Sequence, residues 1–207
     1  MFIAPEFQET RPEEIQRLVQ DYPLATIVTQ TNQGLIANHI PLLFKSEHIL
    51  LGHIAKANEM YALITENQNV LVIFKGEDAY ISANDYPSKW VDHKKVPTWN
   101  YQAVHINGTL KFYDDQKSKL AAVGMLTKIQ EQKTNAEQAW KMSDAPKDYI
   151  IHLLEDLVVF EIQITRIQAQ SKLSQNREAT DFDAVIKRLK DRQQDNLAQA
   201  MSNLPRD

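Results

Sequence analysis

The 207-residue chain contains no cysteine, which excludes disulfides, zinc–thiolate sites, iron–sulfur clusters and cysteine nucleophiles. It has only five glycines, and none of the patterns G-x-G-x-x-G, G-x-x-x-x-G-K-[ST] or G-x-S-x-G occurs. A glycine-rich phosphate loop and a serine nucleophile elbow are therefore disfavoured. No apolar run approaches the roughly 18 residues that span a bilayer, and the N-terminus lacks a basic stretch followed by a hydrophobic signal segment. Together with the missing cysteines, these absences lead us to expect a cytoplasmic protein with no membrane partner.

Excess positive charge is also lacking. The formal charge of −4 removes the broad basic footprint of a non-specific nucleic-acid binder, so any DNA contact would have to be local. The densest basic run, Lys187-Arg188-Leu189-Lys190-Asp191-Arg192, has a helical pattern and reads as a solvated face. The six histidines, at positions 39, 48, 53, 93, 105 and 152, show neither H-x-x-x-H nor E-x-x-H spacing, so no metal site is expected.

The elements present alternate between strand and helix signals. Thr10-Arg11-Pro12-Glu13 has the form of a capping box and opens a helix that Tyr22-Pro23 stops. Leu24–Thr29 and Leu35–Phe44 read as a hairpin around Thr31-Asn32-Gln33-Gly34, with Pro41 confined to an edge or a bulge because it cannot donate a ladder hydrogen bond. Val70–Lys75 and Asp78–Ser82 read as two strands around Gly76, and Val96–Leu110 as a long strand interrupted at Gly108. Helices are expected over 117–130, with an inward stripe of Leu120, Val123, Leu126 and Ile129, and from Pro146 to Leu154. A strong strand follows from Leu157 to Ile167. Thr180-Asp181-Phe182-Asp183 caps a last helix, beyond which the chain is polar and expected to fray after about Gln193. Six or seven mostly antiparallel strands with inserted helices predict a β-barrel with peripheral helices, a mainly β or α+β fold rather than a Rossmann sheet.

Chemistry concentrates in three segments. In Ile49–Glu59 an apolar strand runs into a lysine-bearing helix start, which is either an ordinary solvated turn or an anion site built from N–H groups and Lys56. Asn38-His39-Ile40-Pro41 offers exposed backbone at a proline break. Trp99 and Tyr101 are either half-buried strand residues or aromatic cover for a planar ligand. A flavin mononucleotide needs a cation and N–H donors at its phosphate, polar groups at the ring edge and apolar cover on the ring faces, and these segments supply each part.

Four motifs, Ala37-Asn38-His39-Ile40-Pro41, Gly52-His53-Ile54-Ala55-Lys56-Ala57-Asn58, Val96-Pro97-Thr98-Trp99-Asn100-Tyr101 and Lys172-Leu173-Ser174-Gln175-Asn176, occur in this order. On them the chain resembles the PaiB family of FMN-binding split-barrel proteins known as negative transcriptional regulators. The resemblance implies an FMN-binding split barrel of the pyridoxamine-phosphate-oxidase type, a single domain over 1–207 with a C-terminal helix at about 181–201, and a homodimer with flavin sites at its interface. It assigns cofactor binding to Asn38, His39, Ile40, His53, Lys56 and Asn58 of one subunit, completed by Trp99, Asn100 and Lys172 from the other. It also implies a regulatory role. No helix-turn-helix pattern supports direct DNA binding, although the basic C-terminal helix on a two-fold dimer would be the element to perform it. The alternative is a flavin-dependent oxidoreductase or haem-handling enzyme acting on a small molecule, for which no acid, base or nucleophile is evident.

Overall fold

The computed structural model describes residues 1–205. In chain order the elements are β1 (Gln8–Glu9), α1 (Pro12–Asp21), β2 (Leu24–Thr31), β3 (Gly34–Pro41), β4 (Leu43–Ser46), β5 (Ile49–Ala55), α2 (Glu59–Leu63), β6 (Gln68–Ile81), α3 (Lys89–Asp92), β7 (Thr98–Tyr113), α4 (Gln116–Asn135), α5 (Lys147–Glu155), β8 (Leu157–Lys172), α6 (Ala179–Asp191) and α7 (Asp195–Ser202). The strand order is β3-β2-β6-β7-β8-β5-β4, and β1 pairs with β8. The β1–β8, β2–β3, β2–β6, β4–β5 and β5–β8 pairings are all antiparallel. This is the expected mainly β fold with peripheral helices.

The chain divides into two compact units, and the long strands β6, β7 and β8 contribute residues to both. One unit comprises Tyr22–Phe74 and His105–Ile167. Its hairpin β2–β3 turns through Asn32-Gln33, with Thr31 opposite Gly34, and Gly34 takes φ +107°, a conformation that glycine adopts without steric cost. Pro41 ends β3, the terminal strand of the order. Leu42 then donates its N–H to the Pro23 carbonyl at 2.9 Å, so the expected strand Leu35–Phe44 breaks in two. Helix α4 lays Ala122 and Leu126 on Leu43, Leu51 and Val159.

The expected α4 stripe holds in part, since Leu126 is buried in the core. Lys119, Ala122 and Leu126 are buried, whereas Leu120 and Ile129 remain exposed. The ammonium of the buried Lys119 faces Asp114. Gly108 interrupts nothing, and β7 runs unbroken to Tyr113. A Cβ at Gly108 would lie 2.5 Å from the Gln163 carbonyl oxygen, so the glycine serves close approach rather than a bulge.

The other unit comprises Met1–Asp21, Lys75–Val104 and Gln168 onward. Its core gathers Ile81, Tyr86, Leu173, Phe182, Val185, Leu189, Leu197 and Met201. Gly76 does not divide two strands, because it lies within the continuous β6. In place of one helix at about 181–201 there are two, α6 and α7, parted at Gln193, whose φ is +59°. The segment expected to fray is ordered because Leu197, Ala198 and Met201 fall at helical spacing and are buried. Asp181 is not a cap; it is buried, and it accepts from the Ser88 N–H at 3.0 Å and the Ser88 hydroxyl at 2.6 Å.

Beneath α1 a buried polar chain joins sequence-distant strands. The Ser171 hydroxyl donates to Glu9 at 2.9 Å, and the Gln102 amide donates to Ser171 at 2.9 Å and to Glu14 at 2.8 Å. Burial alone would raise the Glu9 pKa, but hydrogen bonds from Arg11 and Ser171 hold it below its ordinary value. Every one of these carboxylates has a donor, which is the condition for burying them without a large penalty.

Candidate functional site

Strand β5 delivers one of the expected residues, His53, and stops just short of Lys56. It pairs with β8 along its length, placing His53 opposite Val159 and Ala55 opposite Leu157. Lys56 follows, and its N–H donates to the Asp156 carbonyl at 2.8 Å, which fixes the backbone from which its side chain projects. The Lys56 ammonium lies 2.9 Å from Asp114 Oδ1, and the Lys119 ammonium lies 2.5 Å from the same oxygen. Hydrogen bonding to Asp114 raises the Lys56 pKa, and hydrogen bonds from Lys119 and then Lys56 lower that of Asp114. Two cations thus share one carboxylate, leaving a surplus positive charge at the junction.

The helix start contributes less than the sequence implied. Helix α2 is only five residues long, and the Met60 N–H is taken by the Asn58 side chain at 2.9 Å. The Asn58 N–H is likewise engaged, with the Ala55 carbonyl at 2.9 Å. The capacity of the junction for an anion therefore rests on side-chain charge rather than on a helix dipole.

Asn38 and Asn58 meet directly, the Asn58 amide donating to Asn38 Oδ1 at 3.0 Å. His39 Nδ1 contacts the hydroxyl of its cross-strand partner Thr26 at 3.0 Å. Ile40 has a buried side chain and can offer a ligand only its backbone. A cavity of about 390 Å³ opens over Leu51, Val159 and Met125 beside Tyr113, Lys117 and Ser118, and Lys56, Asp114 and Lys119 are not among its lining residues. That is within the size range of small-molecule sites.

Trp99, Asn100 and Lys172 belong to the other compact unit. Trp99 is 52 % exposed and meets Tyr80 edge-to-face at 6.0 Å, so it presents an aromatic surface. Lys172 donates to the Thr98 hydroxyl at 2.8 Å. Asn100 does not fit a ligand role. It is fully buried, accepts from the Ser174 hydroxyl at 3.0 Å and directs its amide nitrogen at the Met201 sulfur. Its position in the sequence motif gave no sign of this burial.

Asp114 and Lys119, which the fold brings to Lys56, are not among the residues singled out from the sequence. One signal was present: the first turn of α4 carries no acidic residue and two lysines, Lys117 and Lys119, the reverse of what a helix macrodipole favours.

His53 supplies a separate observation that fits a bound group. Its Nδ1 is buried without a hydrogen-bond partner among the described residues. Burial lowers its pKa, so the folded protein resists protonating it. A base with a lowered folded-state pKa leaves stability untouched at high pH and erodes it as pH falls from the ordinary imidazole value through the lowered one. Burial also lowers the pKa of His105, so His53 carries only part of the effect. Denaturant titrations from pH 7 to pH 5 should therefore show His53→Gln losing less stability than the unaltered protein, with the gap widening toward pH 5. Parallel curves for the two proteins would contradict the assignment.

Comparison with known proteins gives concordant findings. Residues 1–166 match the family model described as "Putative FMN-binding domain". The chain is 37 % identical to "Protease synthase and sporulation protein PAI 2" of Bacillus subtilis (strain 168), over 96 % of this chain and 94 % of that protein. Among solved structures, it is similar to the FAD and heme binding protein from Mycobacterium smegmatis, with a TM-score of 0.58 and 16 % identity, covering 80 % of this chain and 73 % of that one. It is also similar to the flavocytochrome Anf3 from Azotobacter vinelandii, with a TM-score of 0.56 and 11 % identity, covering 80 % and 69 %. At such identities the structural likeness speaks to the fold, which is the split barrel expected from the sequence.

Proposed function

The chain belongs to the family described as "Putative FMN-binding domain", and from that premise we propose that it is a homodimeric FMN-binding split-barrel protein with a regulatory role. The observation that carries the flavin reading is the pair of ammonium groups on Asp114. Surplus positive charge at the end of β5 suits a phosphate, and the unpartnered His53 nitrogen and the Asn38–Asn58 amides, on the same unit, suit polar edges of a ring system. Lys56 and Lys119 would hold the phosphate, with Asn38, His39, the Ile40 backbone, His53 and Asn58 around the rest of the molecule. Trp99 and Lys172 of the second subunit would complete the site, and Asn100 is assigned to packing. FMN supplies reversible electron-transfer chemistry when bound. The residues of this chain bind it, orient it and limit its contact with water.

The regulatory role rests on the similarity to the Bacillus subtilis sporulation protein and on the family resemblance. Direct DNA contact through the basic run of α6 has little support. Arg192 is engaged with Asp85 at 2.7 and 2.9 Å, Leu189 is buried and Arg188 lies 3.8 Å from Asp191. We therefore favour indirect action, in which the flavin state of the protein is what another regulator reads.

Fluorescence titration tests the binding assignment. Lys56→Ala should weaken FMN binding about tenfold, the usual worth of one hydrogen bond to a charged group. Equal affinity in the two proteins would remove Lys56 from the site.

A further inference from the structure

We propose that Asp114 is an internal counter-anion that holds Lys56 and Lys119 together until a phosphate dianion takes its place, and that this exchange makes the site selective for a terminal phosphate monoester. The inference rests on the flavin reading above and concerns how the site chooses among flavins.

Lys119 carries the first part of the argument. Its side chain is only 6 % exposed, and its ammonium is 2.5 Å from Asp114 Oδ1. Burying an ammonium is expensive unless it is paired. The placement is costly for a second reason, because Lys119 lies near the positive end of the twenty-residue helix α4. Asp115 offsets part of this charge as the helix cap, its carboxylate accepting from the Ser118 N–H at 3.0 Å. The apolar contact of α4 with the sheet is made by Ala122 and Leu126. A buried cation held against a shared carboxylate is what an anion site needs in its empty state.

Asp114 carries the second part. It lies between β7 and α4, and its side chain is 43 % exposed, so moving it into water costs little. Lys56, at 37 % exposure, is equally reachable from solvent. One carboxylate cannot balance two ammonium groups, whereas a phosphate monoester, at about −1.5 to −2 near neutral pH, can. A diphosphate linkage presents about one negative charge per phosphate, and riboflavin presents none. The charge count of the cluster thus matches FMN better than FAD or riboflavin, and Asp114 competes with the phosphate for the same two donors.

Titration of FMN, FAD and riboflavin into the full chain, its Asp114→Asn variant and its Lys119→Met variant tests this, with circular dichroism confirming that each variant is folded. Asp114→Asn should bind FMN about threefold more tightly, since it removes a competitor of exposed-pair strength, and should leave riboflavin affinity unchanged. Lys119→Met should bind FMN about tenfold more weakly, again without effect on riboflavin. If Lys119→Met does not fold, Asp114→Asn alone decides. Weaker or unchanged FMN binding by Asp114→Asn overturns the proposal and makes Asp114 a support for the lysines. Equal affinity of the unaltered chain for FMN and riboflavin overturns it while leaving flavin binding intact. No binding of any flavin overturns the underlying reading and the proposal with it.

Discussion

Replacing Arg192 by methionine lowers the unfolding free energy by about 3 kcal/mol, the scale on which removing one partner of a buried ion pair destabilises a protein. Asp85 is almost wholly buried, and Arg192 donates to both of its oxygens, at 2.7 and 2.9 Å. Without the guanidinium, the remaining donor to that carboxylate among the described residues is the Ser82 N–H at 3.1 Å, which satisfies one oxygen only. Arg192 itself is 43 % exposed, so water relieves part of the loss, and the estimate sits at the low end of the range for such pairs. The affected region is the core in which Tyr86, Phe182, Leu189 and Met201 pack. For a chain of this size the loss corresponds to a fall of roughly 6–12 °C in Tm. Adding Asp85→Asn to Arg192→Met should recover part of it, because the uncompensated charge is then gone. If denaturant unfolding gives the single variant the stability of the unaltered protein, the ion pair does not hold this region together.

Gly108→Ala is expected to cost about as much, near 3 kcal/mol, the upper end for overpacking. The added methyl would lie 2.5 Å from the Gln163 carbonyl oxygen and 2.6 Å from Ile162 Cγ2. The Ile162 side chain can give way, but the carbonyl belongs to β8 and cannot move without shifting that strand. Thr165 is tied to the same region, its hydroxyl donating to the Asn107 carbonyl at 3.1 Å. The consequence extends to the site: β7 leads into Asp114, and β8 pairs with the strand that carries His53. Thermal unfolding should show the loss, and FMN affinity should fall with it. A variant with unaltered Tm would mean that β7 and β8 are not as close as described.

Much of the fold was legible in the sequence because it rests on local signals. The Tyr22-Pro23 stop, the turn before Gly34 and the Pro41 break each act over a few residues, and each lies at the boundary of an element. What was not legible depends on partners far away in the chain. Gly76 and Gly108 look alike as interruptions of a β pattern, yet both sit inside unbroken strands, and only the proximity of Gln163 explains Gly108. The α4 stripe departs from the sequence pattern at Leu120 and Ile129, which are exposed, while Lys119 is buried with its ammonium against Asp114 just before the helix. The polar residues from Gln193 onward concealed the spacing of Leu197, Ala198 and Met201 that folds α7.

The candidate site divides in the same way. Lys56 and Asn58 stood out because a lysine and an asparagine follow an apolar strand directly, and both hold polar partners in the fold, Asp114 and Asn38. Asp114 and Lys119 are 58 and 63 residues further along and become part of the junction only when β7 and α4 return to it. Asn100 shows the opposite case, in which a polar residue in a strong motif is consumed by a buried contact with Ser174.

The central claim, that Lys56 and Lys119 form the phosphate end of an FMN site, is tested most directly by an absorbance spectrum of the freshly purified protein. The cofactor is then released by denaturation and identified, and the emptied protein is titrated with FMN. The account predicts a flavin spectrum, FMN as the released molecule, and saturable rebinding at micromolar concentration that Lys56→Ala weakens. A colourless protein that takes up no FMN at micromolar concentration would contradict it.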